Sequence, residues 1–588
     1  MATTLKPVNV VLVGFGWTAS ILAERLTAST GLQVLALERG KFRDTVPDFA
    51  TTHIQDELRY AVRDGLFQEP ARDTLTFRNS MDQTALPMRH LGSFLPGVGV
   101  GGAGVHWNGQ TWRFLPQDFV IRSHTEQRYG KNFIPADMTI QDWGVTYEEL
   151  EPHYDRFDYL CGISGHAGNI RGQIQAGGNP FEGARQRGYP LPPLKRSHAT
   201  VLFDKAATDI GLHPFPCPAA NTSAPYKNPL GVQMGACTYC GYCEWFGCGN
   251  YSKASPQTTI LPALRQRKNF AYRTQCDVTR INLDSTGKRA TGVTYLDEQG
   301  RQFEQPADLV ICCAFAQHNV LLLLLSKIGQ PYNPVTNTGV VGRNYAYQIT
   351  SAVDVFLDDI MNPFMGAGAL GQGVDEFNGD NFDHGPYGFV GGGYIALWST
   401  GGRPILQHQL PEDAPKWGAG WKKAMAENYL KSASIATHGS VMSYRTSYLD
   451  LDPTYHDIYG DPLLRLTFDF HPNEIKMSRF LTDKAALIAQ AMQPRSFHAR
   501  PRTGHYSIVP YQTTHNTGGC AMGADPKTSV VNKYLQCWDV PNVFVMGASV
   551  FPQNHGYNPT GTVAALAYWA ADAIIDKYLK APGPLVQV

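Results

Sequence analysis

The order of apolar and polar positions sets out the first structural unit before any motif is read. Val8–Val13 is a short, Val-rich run of the kind a buried strand needs. A glycine turn follows at once, and Ser20–Ala28 then carries Ile21, Leu22 and Leu26 at helical spacing. Val34–Leu37 is a second apolar run and stops at Glu38. Strand, glycine turn, helix, strand and acid follow one another as in a nucleotide-binding βαβ unit. Further on, residues 41–90 are polar and irregular, and Asp142–Phe157 predicts a helix from Tyr147, Leu150 and Tyr154. Residues 162–235, rich in Gly, Pro and Asn, predict a long irregular excursion. Residues 276–313 alternate as an antiparallel sheet does and return to a buried strand at Leu309–Cys313. Residues 350–500 predict a second domain of strands with one or two helices. Val543–Met546 predicts a strand and Thr562–Tyr578 a helix.

The turn after the first strand has its own chemistry. Gly14 permits the tight turn, Gly16 lets the backbone approach a pyrophosphate, and Ala19 takes the third small position where helix meets sheet. The pyrophosphate would rest on the amides of the helix N-terminus. Glu38 stands where such units place the acid that accepts a ribose hydroxyl. This motif alone does not separate FAD from NAD.

Composition narrows the partners. The 588 residues are 43% hydrophobic and 17% charged, with 50 basic and 50 acidic side chains in balance. No charge run suggests nucleic acid or a polybasic membrane contact. No apolar stretch reaches the roughly 20 residues of a bilayer span. Met1–Asn9 lacks the apolar core of a secretory signal, so the residues predict a soluble chain with no address of its own. Of eleven cysteines, four crowd together at Cys237, Cys240, Cys243 and Cys248, as in a metal or cluster site rather than a disulfide framework. Zinc usually takes two separated Cys pairs. A compact run is more like an iron–sulfur site.

Three further segments, Gly97–Trp107 (GVGVGGAGVHW) with Asn108, Gly339–Tyr345 (GVVGRNY) and Met546–Ala565 (MGASVFPQNHGYNPTGTVAA), resemble the glucose–methanol–choline oxidoreductase family from end to end. CGYCEWFGCGNYSKASP, LDLDPTY at Leu449–Tyr455 and GYNPTG at Gly556–Gly561 are similar to the flavoprotein subunits of gluconate 2-dehydrogenase type. The resemblance implies an α/β fold: an FAD-binding Rossmann-like domain joined to an antiparallel-sheet substrate domain. It implies FAD held by Gly101, Gly102, Gly104, His106, Asn108, Gly547, Ala548, Pro559 and Thr560 beside the first motif. Residues 1–345 are expected to form mainly the FAD domain, with a cysteine-loop insertion at about 235–256. Residues 346–510 are expected to bind substrate, and 511–588 to return to the FAD domain with the catalytic groups. The similarity of GGAGVHW to pyranose 2-oxidases makes His106 a candidate for a covalent bond to the flavin, with simple packing beside it as the alternative.

Oxidation of an alcohol by a flavin needs a base within about 3 Å of the hydroxyl. His515 opens HNTGGCAMG, which resembles the family's catalytic histidine segment, and Asn558 falls at its second catalytic position, with His555 as the alternative. The free amides of the helix that begins at Pro559-Thr560-Gly561 would face the flavin's pyrimidine end. In this branch three cysteines hold a [3Fe–4S] cluster. With four here, the spare one and a [4Fe–4S] alternative stay open. A relay of that kind points to a dehydrogenase that passes electrons to a membrane chain rather than to an oxidase. His515 and Asn558 argue against a non-catalytic electron carrier, and the resemblance implies a multihaem cytochrome c subunit as the acceptor. The resemblance further implies a small subunit bearing a twin-arginine signal, and a heterotrimer on the periplasmic face of the bacterial inner membrane. D-gluconate is the implied sugar-acid substrate, with 2-keto-gluconate, sorbitol and fructose as alternatives.

Overall fold

A computed structural model describes residues 2–50, 66–69, 72–89, 92–401 and 409–587. The chain enters through β1 (Val8–Val13), α1 (Trp17–Ser29) and β2 (Val34–Leu37). α2 (Tyr147–Cys161) and α3 (His198–Asp209) follow a long polar stretch. Next come β3 (Phe270–Arg273), β4 (Asp277–Leu283), β5 (Ala290–Leu296), β6 (Gln302–Cys312) and α4 (Ala316–Leu325). The second half supplies β7 (Ile349–Phe356), β8 (Gly366–Val374), β9 (Gly393–Thr400), β10 (Ser432–Gly439), α5 (Pro472–Ala491) and β11 (Ser496–Arg500). β12 (Val543–Val545) and α6 (Thr560–Ala573) close the chain.

These strands make two principal sheets. In the first the order is β3-β2-β1-β6-β5-β4, with β12 also on β6. The pairs β3–β2, β2–β1, β1–β6 and β6–β12 are parallel, whereas β4, β5 and the start of β6 form an antiparallel meander. β1 and β2 are almost wholly apolar and largely buried, as strands inside a parallel sheet are, and α1 packs on both. α6, rich in alanine, packs against both α1 and α2. The second sheet runs β11-β7-β10-β9-β8 and ends on a short edge strand at Phe215–Pro216. Its strands are antiparallel, and α5 covers one face. Along β10 the period-two rule puts Ala433, Ile435 and Thr437 into the core and turns Ser434, Ala436 and His438 the other way. The α/β class with a parallel nucleotide-type sheet and a second antiparallel sheet is therefore as expected.

Two local expectations change. The helix expected from Asp142 begins at Tyr147, because Thr146 caps it: its hydroxyl accepts from Glu149 N at 3.3 Å, and the Glu149 carboxylate accepts from Thr146 N at 2.9 Å. The excursion at 162–235 holds a three-turn helix, α3, capped by Ser197 and burying Ala199, Phe203, Ala206 and Ala207. That spacing was readable, but the glycines and prolines around it masked it.

An ion cluster fixes α2 to the segment after the glycine loop. Asp158 accepts from Arg113 Nη2 and from Arg185 Nη2, each at 2.7 Å, and Glu151 accepts from Arg113 Nη1 at 2.9 Å. All four side chains are buried. Removing one partner of a buried pair leaves an uncompensated charge. Asp158→Ala should lower stability by about 3–5 kcal/mol, read as a fall in urea midpoint. A change below about 1 kcal/mol would show the guanidinium groups to be satisfied without it.

Candidate active site

One cavity of about 700 Å³ runs from the turn after β1 to the segment around His515. Gly14, Gly16, Glu38, Gly102, Gly104, His106, Asn108, His515, Gly547, Ala548, Asn558, Pro559 and Thr560 all line it. Ala19 and Gly101 do not. Ala19 is fully buried in α1, and Gly101 stands behind the wall, where a Cβ would meet the Gln257 amide at 2.5 Å. The glycines are needed where they stand. Gly14 has φ of +90°, and a Cβ there would lie 2.9 Å from the Cys313 carbonyl oxygen. The Glu38 carboxylate accepts from the backbone N–H of Phe15 (2.9 Å), Gly40 (2.8 Å) and Gly99 (3.2 Å), tying both glycine loops together. One lone pair of its usual four stays available to a ribose hydroxyl. An elongated, glycine-walled cavity with a carboxylate on its wall fits a dinucleotide such as FAD.

At the other end a closed ring of side chains forms. The Gln348 Nε2 group donates to the carbonyls of His555 (3.2 Å), Gly556 (2.7 Å) and Tyr557 (3.4 Å). Its Oε1 must then be the accepting end, and it faces His515 Nδ1 at 2.5 Å and His438 Nδ1 at 3.1 Å. Both imidazoles therefore carry their proton on Nδ1 and a lone pair on Nε2. Asn558 Nδ2 points at His515 Nε2 across 3.2 Å, and Asn558 Oδ1 accepts from Tyr394 OH at 2.8 Å. Tyr394 stacks on His438, with ring centroids 4.9 Å apart and planes 16° from parallel, which completes the ring. Burial pushes His515 down to about 3 and His438 down to about 4, so both are neutral at pH 7.

The sequence brought forward His515 and Asn558, and the structure brings them together. The alternative His555 lies outside this cavity, fully buried, with Nδ1 3.0 Å from Asp118 Oδ1. Gln348, His438 and Tyr394 were missed. Only His438 left a trace, as a polar residue on the open face of an alternating strand. His106 is buried, and its Nε2 has no hydrogen-bond partner among the described residues while the residue lines the cavity. Burial holds its basicity down, to about 3, with buried Lys253 as the next cause. A buried, neutral, unpartnered ring nitrogen at the cavity wall fits a bond or close contact to a flavin edge.

None of the four clustered cysteines lines the cavity, although Glu244 and Trp245 of their loop do. Burial raises Cys237 to about 11 and Cys243 to about 12, and Cys243 is within electrostatic reach of the other three thiols. Tyr239 N donates to Cys237 Sγ (3.5 Å), Asn221 Nδ2 to Cys243 Sγ (3.5 Å) and Lys253 N to Cys248 Sγ (3.4 Å). Cys240 is exposed. Among the described residues no group of three His, Cys, Asp or Glu is arranged to hold a metal ion. The loop gathers four sulfurs and donors for three of them, without closing them on one point.

The sequence matches the GMC oxidoreductase family at residues 219–350 and 443–567. It is 53% identical to the gluconate 2-dehydrogenase flavoprotein of Pantoea cypripedii, over all of this chain and 96% of that one. It is 28% identical to the 2-methyl-1,2-propanediol dehydrogenase of Mycolicibacterium austroafricanum, over 82% of this chain and 81% of that one. It is 25% identical to the fructose dehydrogenase large subunit of Gluconobacter japonicus, over 98% and 99%. Among solved structures, pyridoxine 4-oxidase from Mesorbium loti superposes with a TM-score of 0.58 at 17% identity, over 96% of this chain and 98% of that one, which speaks for the fold. Fold, family matches and a full-length relative agree: the chain belongs to the GMC oxidoreductase family of FAD-binding enzymes that act on CH–OH donors.

Proposed function

We propose that this chain is the FAD-carrying subunit of a gluconate 2-dehydrogenase and converts D-gluconate to 2-keto-D-gluconate. The full-length 53% identity to the Pantoea cypripedii flavoprotein of that name carries the reading. The His515–Asn558 pair in the glycine-walled cavity supports it. The glycines around Gly14, Gly102 and Gly547 would hold FAD, with Glu38 on its ribose and His106 at the ring edge. Bound there, FAD supplies the acceptor for the hydride leaving C2. A substrate hydroxyl that replaces the direct 3.2 Å contact between Asn558 Nδ2 and His515 Nε2 donates to His515 Nε2, whose lone pair is set by the Gln348 contact, and accepts from Asn558 Nδ2. His515 takes the hydroxyl proton and Asn558 holds the oxygen. The first residue of α6, Thr560, lines the cavity, so its helix N-terminus offers free amides to negative charge. In this reading residues 1–345 and 511–588 bind FAD and carry the catalytic pair, and 346–510 shape the substrate side.

Cys237, Cys240, Cys243 and Cys248 are proposed as the residues that would hold an iron–sulfur cluster, [3Fe–4S] or [4Fe–4S], which would supply a one-electron relay toward a cytochrome c subunit. Sulfur-directed N–H donors and the exposed Cys240 support that role. The name of the relative, a flavoprotein of a larger enzyme, supports partner subunits. We assign these as a multihaem cytochrome c and a small subunit with a twin-arginine signal, exported together to the periplasmic face of the inner membrane. No helix among the described residues is long and apolar enough to cross a membrane. Activity that fractionates with the cytoplasm, independent of any partner, would overturn this placement.

His515→Ala should slow anaerobic flavin reduction by gluconate at least ~100-fold, the low end of general-base contributions, with FAD retained. Asn558→Ala should slow it less. Near-normal reduction in His515→Ala removes the residue from the mechanism. The pH profile follows from burial. A histidine whose folded value falls from 6.5 to about 3 stays deprotonated, and competent as a base, down to about pH 3. The rate of flavin reduction should therefore be level between about pH 5 and 7. An acid limb near the ordinary value of about 6.5 would show an exposed histidine doing the work. Purified without oxygen, the protein should carry about three or four irons per flavin. Acid precipitation should leave the flavin attached through His106 and should release it from His106→Ala. Stoichiometric zinc without iron, or flavin released wholly from the wild type, overturns the corresponding assignment.

A further inference from the structure

The ring around Gln348 contains one imidazole that the proposed reaction does not use. His438 sits on the open face of β10 and lines the same cavity as His515. Its Nδ1 is committed to Gln348 Oε1 at 3.1 Å. Its plane is fixed by the Tyr394 ring stacked on it. Its Nε2 makes no hydrogen bond to any described residue, and it carries a lone pair because Gln348 can only accept at Nδ1. The two imidazole centroids are 6.3 Å apart. A single amide therefore presents two neutral acceptors to one cavity, one with Asn558 beside it and one without.

An aimed acceptor in such a place asks for a donor. On a polyhydroxylated substrate the donor is a hydroxyl. Hydroxyls on adjacent carbons lie about 3 Å apart, and each reaches its acceptor over about 2.8 Å, so a vicinal pair spans the two rings. We propose that His438 is a recognition residue that accepts a hydrogen bond from the hydroxyl adjacent to the one oxidised, and that the site selects vicinal diols. The assignment rests on the reading of the chain as a gluconate 2-dehydrogenase, where the adjacent hydroxyl is the one on C3. Asn558 does not take over this contact from His438, because its Nδ2 can only donate and its Oδ1 already accepts from Tyr394 OH. Gln348 acts through both rings as a positioning residue.

The decisive comparison is between D-gluconate and 3-deoxy-D-gluconate as reductants of the flavin in the intact protein, in the absence of oxygen. In the wild type kcat/KM should fall about 10-fold or more for the deoxy acid, the scale of one hydrogen bond left unmade at a buried partner. In His438→Ala gluconate itself should lose a similar factor, and the two acids should then differ by less than about 3-fold. His438→Gln, which keeps an acceptor, should recover part of the discrimination. Flavin content and visible spectrum of each variant report whether the site is intact. A wild type that does not discriminate overturns the proposal, as does a His438→Ala variant that discriminates as the wild type does. A wild type that gluconate does not reduce at all overturns the gluconate reading, and this assignment with it.

Discussion

The amide of Gln348 is the constraint on which the active end depends. Three carbonyls from consecutive residues, His555, Gly556 and Tyr557, hold its nitrogen, so its oxygen has no choice of role. Two histidines from different parts of the chain then share one acceptor. A free imidazole interchanges its tautomers readily. Here the choice is removed before any substrate arrives, and orientation already in place does not have to be organised during reaction. The residue also joins segments far apart in sequence. It lies just before β7 of the second sheet, reaches the chain that leads into α6, and receives His438 from β10. The second sheet is thus tied to the loop before α6 that carries Asn558.

How much of this was legible depends on range. Val8–Glu38 could be read because every requirement there is local: a strand, a left-handed glycine at Gly14, a helix and an acid follow within one short unit. His515 and Asn558 could be named because each stands in a motif, although nothing local says that they touch. Gln348 carries no motif, and its role comes from carbonyls some two hundred positions later. His438 shows only as a polar residue in an alternating strand. α3 was hidden by composition, since glycine and proline on either side outweighed its spacing of Ala199, Phe203 and Ala206. The start of α2 shows the reverse: Thr146 and Glu149 are a capping pair that periodicity alone passes over.

The glycine loop and the cysteine loop are built as the two faces of one wall. Trp245 N donates to the His106 carbonyl at 2.8 Å. The buried Lys253 ammonium donates to the carbonyls of Trp107 and Cys243, each at 2.6 Å, and of Phe246 at 2.7 Å. A fully buried ammonium is costly unless its donors are met, and three carbonyls meet them. One side chain therefore ties the segment that lines the cavity to the segment that carries the thiols. Glu244 and Trp245 line the cavity, and Cys243 is the residue just before them in the chain. The wall between cavity and sulfur is one pass of backbone.

That thinness limits what the loop can be for. A loop that served only to close the cavity would need neither four sulfurs nor N–H groups directed at three of them. Burial keeps Cys237 and Cys243 in the thiol form, so a cation that binds them as thiolates must displace their protons. The Lys253 charge beside Cys243 works in favour of that loss, and burial works against it. The buried Lys253 charge disfavours protonation of both His106 and Cys243, so the imidazole at the cavity wall and the thiol behind it share one electrostatic neighbour.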